Sequence, residues 1–177
     1  FGYPKYDDNG EMILTTYENE YRDMLMDIRV YKLEKNQTKI FTSDDEEIAA
    51  LLLNGKIEIN VDGIEKIISR KSVFLEGPYA GHVSHSKIIS AKALEETEVL
   101  VQKTKNKVTF KSKLYTPEDA PWKYSSQGWY GNVANRRVNT IIDHDIEPKS
   151  NMVLGEVLND PGNWSGYLPH RHPQPEC

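Results

Sequence analysis

Short runs of alternating apolar and polar residues recur along the chain. Between Lys56 and Val61, the apolar residues Ile57, Ile59 and Val61 alternate with Lys56, Glu58 and Asn60, which is the pattern of a strand with one buried face. Such runs, bounded by Gly, Pro, Asn or Asp, predict about eight short strands within residues 24–112. We therefore expect an all-β fold, a sandwich or barrel of the jelly-roll kind. The predicted strands include residues 24–33, 38–42, 64–68, 72–75, 87–93 and 98–103.

The segment from residue 43 to residue 55 admits two interpretations. Ser43 followed by the acidic residues 44–47 is typical of a helix N-terminus. The apolar run 48–53 that ends at Asn54-Gly55 instead indicates a buried strand before a turn. We expect strand, turn and strand here, with a helix as the alternative, and a solvated turn at residues 44–47.

Turn residues divide the chain near residue 112. Residues 1–112 are expected to form one barrel, with residues 1–19 lying over it as an arm. Residues 113–177 would comprise a linker and the start of a second, incomplete barrel, in which residues 152–158 are a clear strand. The first residue is Phe1 rather than Met, and we expect the chain to be part of a longer one.

Composition excludes several classes of partner. The net charge is −5, from 22 basic and 27 acidic residues, so a broad basic surface for nucleic acid is not expected. No apolar run reaches the roughly 18 residues of a membrane span. A single cysteine, Cys177, excludes an intramolecular disulfide and suits a cytoplasmic protein.

Candidate metal ligands lie near the end of the chain, in the pattern His170, His172 and Glu176. Residues an even number of positions apart point to one side of an extended chain, so these three side chains can meet at one ion. Prolines 169, 173 and 175 exclude a regular helix. Two imidazoles and a carboxylate suit a divalent transition metal and leave positions open for substrate. The alternative is a solvated polar loop.

A second histidine pair has a different expected role. His82 and His85 lie three residues apart in a glycine-containing segment, and no carboxylate is close to them at ligand spacing. We expect them to be loop or surface histidines rather than metal ligands.

The run Gly162–Glu176 (GNWSGYLPHRHPQPE) resembles the first motif of the cupin superfamily. It looks like the corresponding run of a bicupin family of sugar-acid isomerases, the 5-deoxy-glucuronate isomerases, and is also similar to that of the related 4-deoxy-5-keto-uronate isomerases. The resemblance implies a cupin-type jelly-roll barrel followed by a second barrel that holds the metal. Residues 42–47 stand where the first barrel would carry its ligands, which implies a structural or regulatory first barrel.

The resemblance also implies a function in inositol catabolism, the aldose–ketose isomerisation of 5-deoxy-glucuronate to 2-deoxy-5-keto-gluconate. The expected cofactor is a divalent metal, zinc first, with manganese or iron as alternatives. In the resembled enzymes a further histidine ligand lies on a later strand. We therefore expect the present chain alone to bind metal weakly and to be inactive.

A sugar-acid substrate needs a cation for its carboxylate, and we expect Arg137 or Lys149 to supply it. Tyr167 is expected to line the mouth of the site, and His144 is a candidate acid or base, although a turn histidine is often merely exposed. A homo-oligomer is expected because an incomplete barrel has free edges. Two other functions stay open: an iron-dependent cupin dioxygenase, and a non-catalytic sugar-binding or oligomerisation module.

Overall fold

The chain is an all-β protein, as the computed structural model shows for residues 3–166, the part that it describes. Within that range no helix is long and apolar enough to cross a membrane. Two short 3-10 turns lie at Arg22–Met24 and Trp129–Asn132. The strands are β1 (Glu11–Thr15), β2 (Met26–Leu33), β3 (Thr38–Thr42), β4 (Glu46–Val61), β5 (Ile64–Arg70), β6 (Ala80–Val83), β7 (Ile88–Ala93), β8 (Thr97–Lys105), β9 (Lys113–Tyr115), β10 (Lys123–Ser125), β11 (Arg136–Ile142) and β12 (Leu154–Asn159).

Strands β1 to β9 form one antiparallel sheet that closes into a barrel. One layer has the order β1-β2-β8-β4-β6-β9, and the other has the order β3-β7-β4-β5. The long strand β4 belongs to both layers, because its first half pairs with β6 and β8 and its second half with β5 and β7. This two-layer arrangement is the jelly-roll barrel expected from the sequence, and it is called the barrel below.

The reversal expected at Asn54-Gly55 is instead a bend within β4. Gly55 has φ 96°, and the pairing of β4 with β8 shifts its register between Leu52 and Asn54. A Cβ atom on Gly55 would lie 2.3 Å from Thr97 Oγ1, so only glycine fits. The strand interpretation is therefore confirmed over the helix, but the turn at Asn54-Gly55 is wrong.

This bend also changes which residues of β4 face inward. Before it, Ile48, Ala50 and Leu52 point into the barrel, and after it Ile57, Ile59 and Val61 do so. The irregular pairing at the bend shifts the alternation by one residue, so both halves bury an apolar row. The chain reverses only at Asp62-Gly63, where φ values of 50° and 93° match a tight hairpin turn.

A second, three-stranded sheet packs on the outside of the barrel. It has the order β10-β11-β12 and is called the outer sheet below. The contact is apolar: Ile141 and Leu154 of the outer sheet join Ala49, Leu51 and Tyr115 of the barrel in one buried cluster. The barrel also extends past residue 112, since β9 pairs with β6, and the outer sheet begins at Lys123.

Two local predictions are wrong. Residues 72–75 form a turn rather than a strand, because the Ser72 carbonyl accepts hydrogen bonds from the amides of Leu75 and Glu76. Part of the N-terminal arm is an edge strand, since β1 pairs with β2 through Met12 and Val30. An edge strand with one exposed side carries little apolar alternation, which explains why the sequence pattern did not reveal it.

Gly81 offers a direct test of barrel packing. A Cβ atom there would lie 2.6 Å from Val61 Cγ2 in the closed interior. We expect Gly81→Ala to lower the free energy of unfolding by about 1–3 kcal/mol, measured by urea denaturation. Gly166→Ala is the control, because no atom of residues 3–166 lies within 4 Å of its added atom. Equal stability of the two variants would contradict the close approach of β6 to β4.

Candidate functional site

The predicted metal ligands His170, His172 and Glu176, and with them Tyr167, lie outside the described residues. Their convergence on one ion therefore stays a prediction. Within residues 3–166, no three His, Cys, Asp or Glu side chains are grouped so that they could hold a metal ion. The donor set itself, two imidazoles and one carboxylate, suits zinc, manganese or iron.

Two hydrogen bonds fasten the segment that leads into this motif. The amide of Trp164 donates to the carbonyl of Val133 at 2.7 Å, and Asn163 Nδ2 donates to the carbonyl of Asn135 at 3.1 Å. The ring of Trp164 lies 5.6 Å from the ring of Tyr130. Two aromatic, glycine-containing stretches that are distant in sequence are therefore joined at the start of β11.

Arg137 lies at this same end of the outer sheet. Its guanidinium stacks over the indole of Trp122, 5.6 Å from the ring centroid, and its cross-strand neighbours are Tyr124 and Leu158. Within residues 3–166 it forms no ion pair at 4.0 Å or less. Its planar fork is thus suited to accept a ligand carboxylate. The adjacent Arg136 points to the other face and donates to Ser126 and Ala134.

His144 and Lys149 lie beyond the opposite end of β11. From Arg137 to Ile142 alone a strand spans roughly 16 Å, at about 3.3 Å per residue. His144 is exposed on the following turn, beside a cleft of about 470 Å³. Lys149 Nζ donates to the carbonyl of Thr109 at 3.4 Å. The structure therefore does not bring either residue together with Arg137 around one small ligand.

A buried polar cluster was missed by sequence reasoning. Glu47 and His82 are 0% and 1% exposed, so the expected solvated turn and surface histidine are wrong at these residues. Glu47 Oε2 lies 3.0 Å from His82 Nε2 and accepts from Ser150 Oγ at 2.8 Å. Glu47 Oε1 accepts from the Asn151 amide at 2.6 Å and from Asn106 Nδ2 at 3.3 Å.

These contacts decide the charge of Glu47. Burial alone would raise the pKa of this carboxyl group, but hydrogen bonds from His82, Ser150 and the Asn151 amide outweigh it and hold the pKa below its ordinary value of 4.5. The carboxylate is therefore ionised at neutral pH. Since it is closed off from solvent, it serves to tie residues 150–151 to the barrel rather than to bind a substrate.

No sequence signal distinguished this pair. Glu47 and His82 are far apart in sequence, and they meet because Ala49 of β4 pairs with His82 of β6. Both side chains then lie on the outer face of the barrel, where the ring of Phe110 packs 4.5 Å from the imidazole. The sequence could have suggested burial only through the apolar run that follows Glu47.

Comparison with known proteins places this arrangement in context. Residues 3–177 match the sequence profile of the KduI/IolB family. The chain is 32% identical over 148 residues to the 5-deoxy-glucuronate isomerase of Geobacillus kaustophilus, covering 82% of this chain and 52% of that protein. It is 29% identical over 133 residues to the 5-deoxy-glucuronate isomerase of Bacillus subtilis strain 168, covering 73% and 47%. The chain thus spans about half the length of these curated relatives.

Solved structures support the fold. An IolB-like protein from Salmonella typhimurium LT2 superposes with a TM-score of 0.67 at 17% identity, covering 78% of this chain and 52% of that one. A Pseudomonas aeruginosa protein described as glyoxylate-induced gives a TM-score of 0.63 at 8% identity, covering 90% and 60%. At these identities the likeness concerns the fold alone.

The Glu47 cluster has a measurable consequence for acid stability. A carboxyl group whose pKa is lower in the folded state stabilises the fold at pH values above its pKa in the unfolded state. This contribution is lost as the pH falls through the pKa of the folded state. We expect Glu47→Gln to reduce the free energy of unfolding at pH 7 by about 1–3 kcal/mol, and to flatten the loss of stability below pH 4.5.

Glu58→Gln is the matched control. Glu58 is about half exposed and its carboxylate lies 3.9 Å from the ammonium group of Lys92, so this long, exposed ion pair should contribute little to stability. Chemical denaturation between pH 3 and pH 7 would compare the three proteins. A Glu47→Gln curve parallel to the wild-type curve at acid pH would contradict the ionised, hydrogen-bonded carboxylate.

Proposed function

The chain belongs to the KduI/IolB family, and on that basis we propose that it forms part of a sugar-acid isomerase. The proposed reaction is the aldose–ketose isomerisation of 5-deoxy-glucuronate to 2-deoxy-5-keto-gluconate. Its support is the similarity to proteins named 5-deoxy-glucuronate isomerase, at up to 32% identity. Because the chain spans about half of those relatives, the activity is proposed for the longest natural polypeptide that contains it.

One structural observation supports the proposed position of the site. The segment that leads into the motif is fastened beside the start of β11 by Trp164 and Asn163, and Arg137 lies at that same end of the outer sheet. We infer that the substrate binds between this end of the outer sheet and the motif. The barrel packs against the outer sheet and would support the site. Its cluster of Glu47 and His82 is closed to solvent.

The proposed cofactor is a divalent metal held by His170, His172 and Glu176, with zinc as the first choice and manganese or iron as alternatives. When bound, such a metal supplies Lewis-acid polarisation of a carbonyl group and orients the neighbouring hydroxyl, which eases proton transfer between adjacent carbons. The residues of the chain would then bind and orient the sugar acid around that centre.

Arg137 is the proposed partner of the substrate carboxylate. Stacking on Trp122 holds the guanidinium plane in place, so less freedom is lost when a carboxylate binds across it. Tyr130 and Trp164, whose paired rings are about half exposed near the start of β11, would provide apolar surface on which the carbon face of a sugar can pack. We assign no acid or base role to His144 in this proposal, because that residue lies beyond the end of β11 opposite Arg137.

The first test is an isomerase assay with 5-deoxy-glucuronate on the longest natural polypeptide that contains the chain. We expect activity that is lost on chelation, restored by a divalent metal, and abolished by His170→Ala with His172→Ala. For the 177-residue chain alone we expect weak zinc binding and no turnover.

Oxygen consumption by the iron-loaded protein in place of isomerisation would instead support the dioxygenase alternative. Sugar-acid binding without turnover in the longest polypeptide would support a binding module. Size-exclusion chromatography coupled to light scattering on the same samples tests the proposed homo-oligomer.

The second test concerns Arg137. We expect Arg137→Ala to raise KM for the sugar acid by about 10- to 100-fold with a smaller effect on kcat, because a charge-assisted pair with the substrate is lost. Steady-state kinetics on Arg136→Ala provides the control, since Arg136 points to the opposite face of β11. An equal rise in KM for both variants would count against Arg137 as the carboxylate partner.

A further inference from the structure

The second layer of the barrel, β3-β7-β4-β5, exposes apolar side chains on its outward surface. Ile40 of β3, Ile67 of β5 and Ile88 of β7 are 62%, 58% and 52% exposed, which is unusual for isoleucine. On the first layer the outward-facing residues Ala49 and Leu51 are buried instead, because the outer sheet covers them. Among the described residues, the three isoleucines belong to no buried cluster. The outward surface of the second layer is called the open face below.

Strand register arranges the side chains of the open face in rows. Ile40 is opposite Ser90, and Ile88 is the next outward residue on β7, so the two isoleucines are diagonal neighbours. The adjacent row crosses all four strands and comprises Thr38, Lys92, Glu58 and Ile67. This row, called the charged row below, has a methyl-bearing residue at each end and a cation beside an anion in its middle.

The two charges of this row are only loosely paired within one chain. Lys92 Nζ lies 3.9 Å from Glu58 Oε2, which is beyond hydrogen-bond distance, and both side chains are about half exposed. The ammonium and the carboxylate therefore keep bonding capacity for a further charged group. The charged row is also self-complementary, because turning it end for end places a cation opposite an anion at both central positions.

We propose that the open face binds the open face of a second copy of this chain, about a twofold axis that runs along the strands between β7 and β4. Sheets that pack face to face keep their strands roughly aligned, about 10 Å apart. The axis then places β7 over β4, and β3 over β5, of the second copy. Lys92 of each copy meets Glu58 of the other, and Ile67 lies over the strand that carries Ile40.

This inference rests on the proposed homo-oligomer and names the face through which it forms, without depending on the isomerase activity. Four strands about 4.8 Å apart and about 20 Å long present roughly 400 Å² per copy before the relief of the side chains is counted. Two copies together therefore bury an area near the low end for specific interfaces, about 1,200 Å². We expect a dimer with a Kd in the micromolar range rather than an obligate one.

Charge reversal tests this axis directly. Sedimentation velocity of the 177-residue chain between about 1 and 200 µM should show a monomer–dimer equilibrium. Lys92→Glu and Glu58→Lys should each raise the Kd by about 10- to 100-fold, because two like-charged contacts then form across the axis. An equimolar mixture of the two variants should associate about as tightly as the wild type, since the mixed dimer has a cation opposite an anion at both contacts.

Two matched controls lie on the first layer. Lys32 of β2 forms a comparably exposed ion pair, 3.1 Å from Glu96, so Lys32→Glu should leave the Kd unchanged. Ile40→Lys should weaken association, whereas Ile13→Lys, at an exposed isoleucine of the edge strand β1, should not. Thermal unfolding of each variant at a concentration below the Kd checks that its fold is intact.

A wild-type chain that stays monomeric over this range would overturn the proposal, and so would a mixture that fails to restore association. A dimer that resists both reversals would place the contact on another face, so this inference would fail while the proposed homo-oligomer stands. The same variants of the longest natural polypeptide should respond alike. Association there that neither reversal weakens would also overturn the proposal, whatever the isomerase assay shows.

Discussion

A buried carboxylate, that of Glu47, is the constraint on which the assembly of this molecule depends. An ionised group without solvent access is tolerated only when its lone pairs are used, and Glu47 has four donors. They come from the barrel wall, from the chain after β8 and from residues 150–151 that lead into β12. The carboxylate is therefore satisfied only when the barrel is closed and the segment before β12 is in place.

A second buried charge contact lies on the same interface further along β4: Arg70 donates to both carboxylate oxygens of Glu156 in β12, at 2.7 and 2.8 Å, and to the carbonyl of Leu52 in β4. Between the two polar contacts lies the apolar cluster that includes Leu51, Ile141 and Leu154. Apolar contact supplies most of the attraction and tolerates sliding, whereas hydrogen-bonded charges are sensitive to small displacements. Apolar packing and buried charge contacts together explain how a three-stranded sheet, which is only marginally stable by itself, has a defined position on the barrel.

This arrangement divides the work between two parts of the chain. The barrel has a closed apolar interior and the Glu47 cluster is shielded from solvent, so the proposed substrate site lies outside that interior. Arg137 lies at one end of the outer sheet, and Trp164, in the segment after β12, is fastened near the same end through the carbonyl of Val133.

The sequence alone determined what depends on neighbours along the chain: the alternation of Ile57, Ile59 and Val61, the turn at Asp62-Gly63, and the His-x-His pattern near the end. Local periodicity and turn chemistry are physical properties of a few consecutive residues, so they can be read directly. The tertiary structure decided what depends on register: the bend rather than reversal at Gly55, the burial of Glu47 and His82, and the separation of His144 from Arg137. Those outcomes depend on which strands pair and in which register. Paired strands can be far apart in the sequence, and no local pattern of residues indicates their pairing.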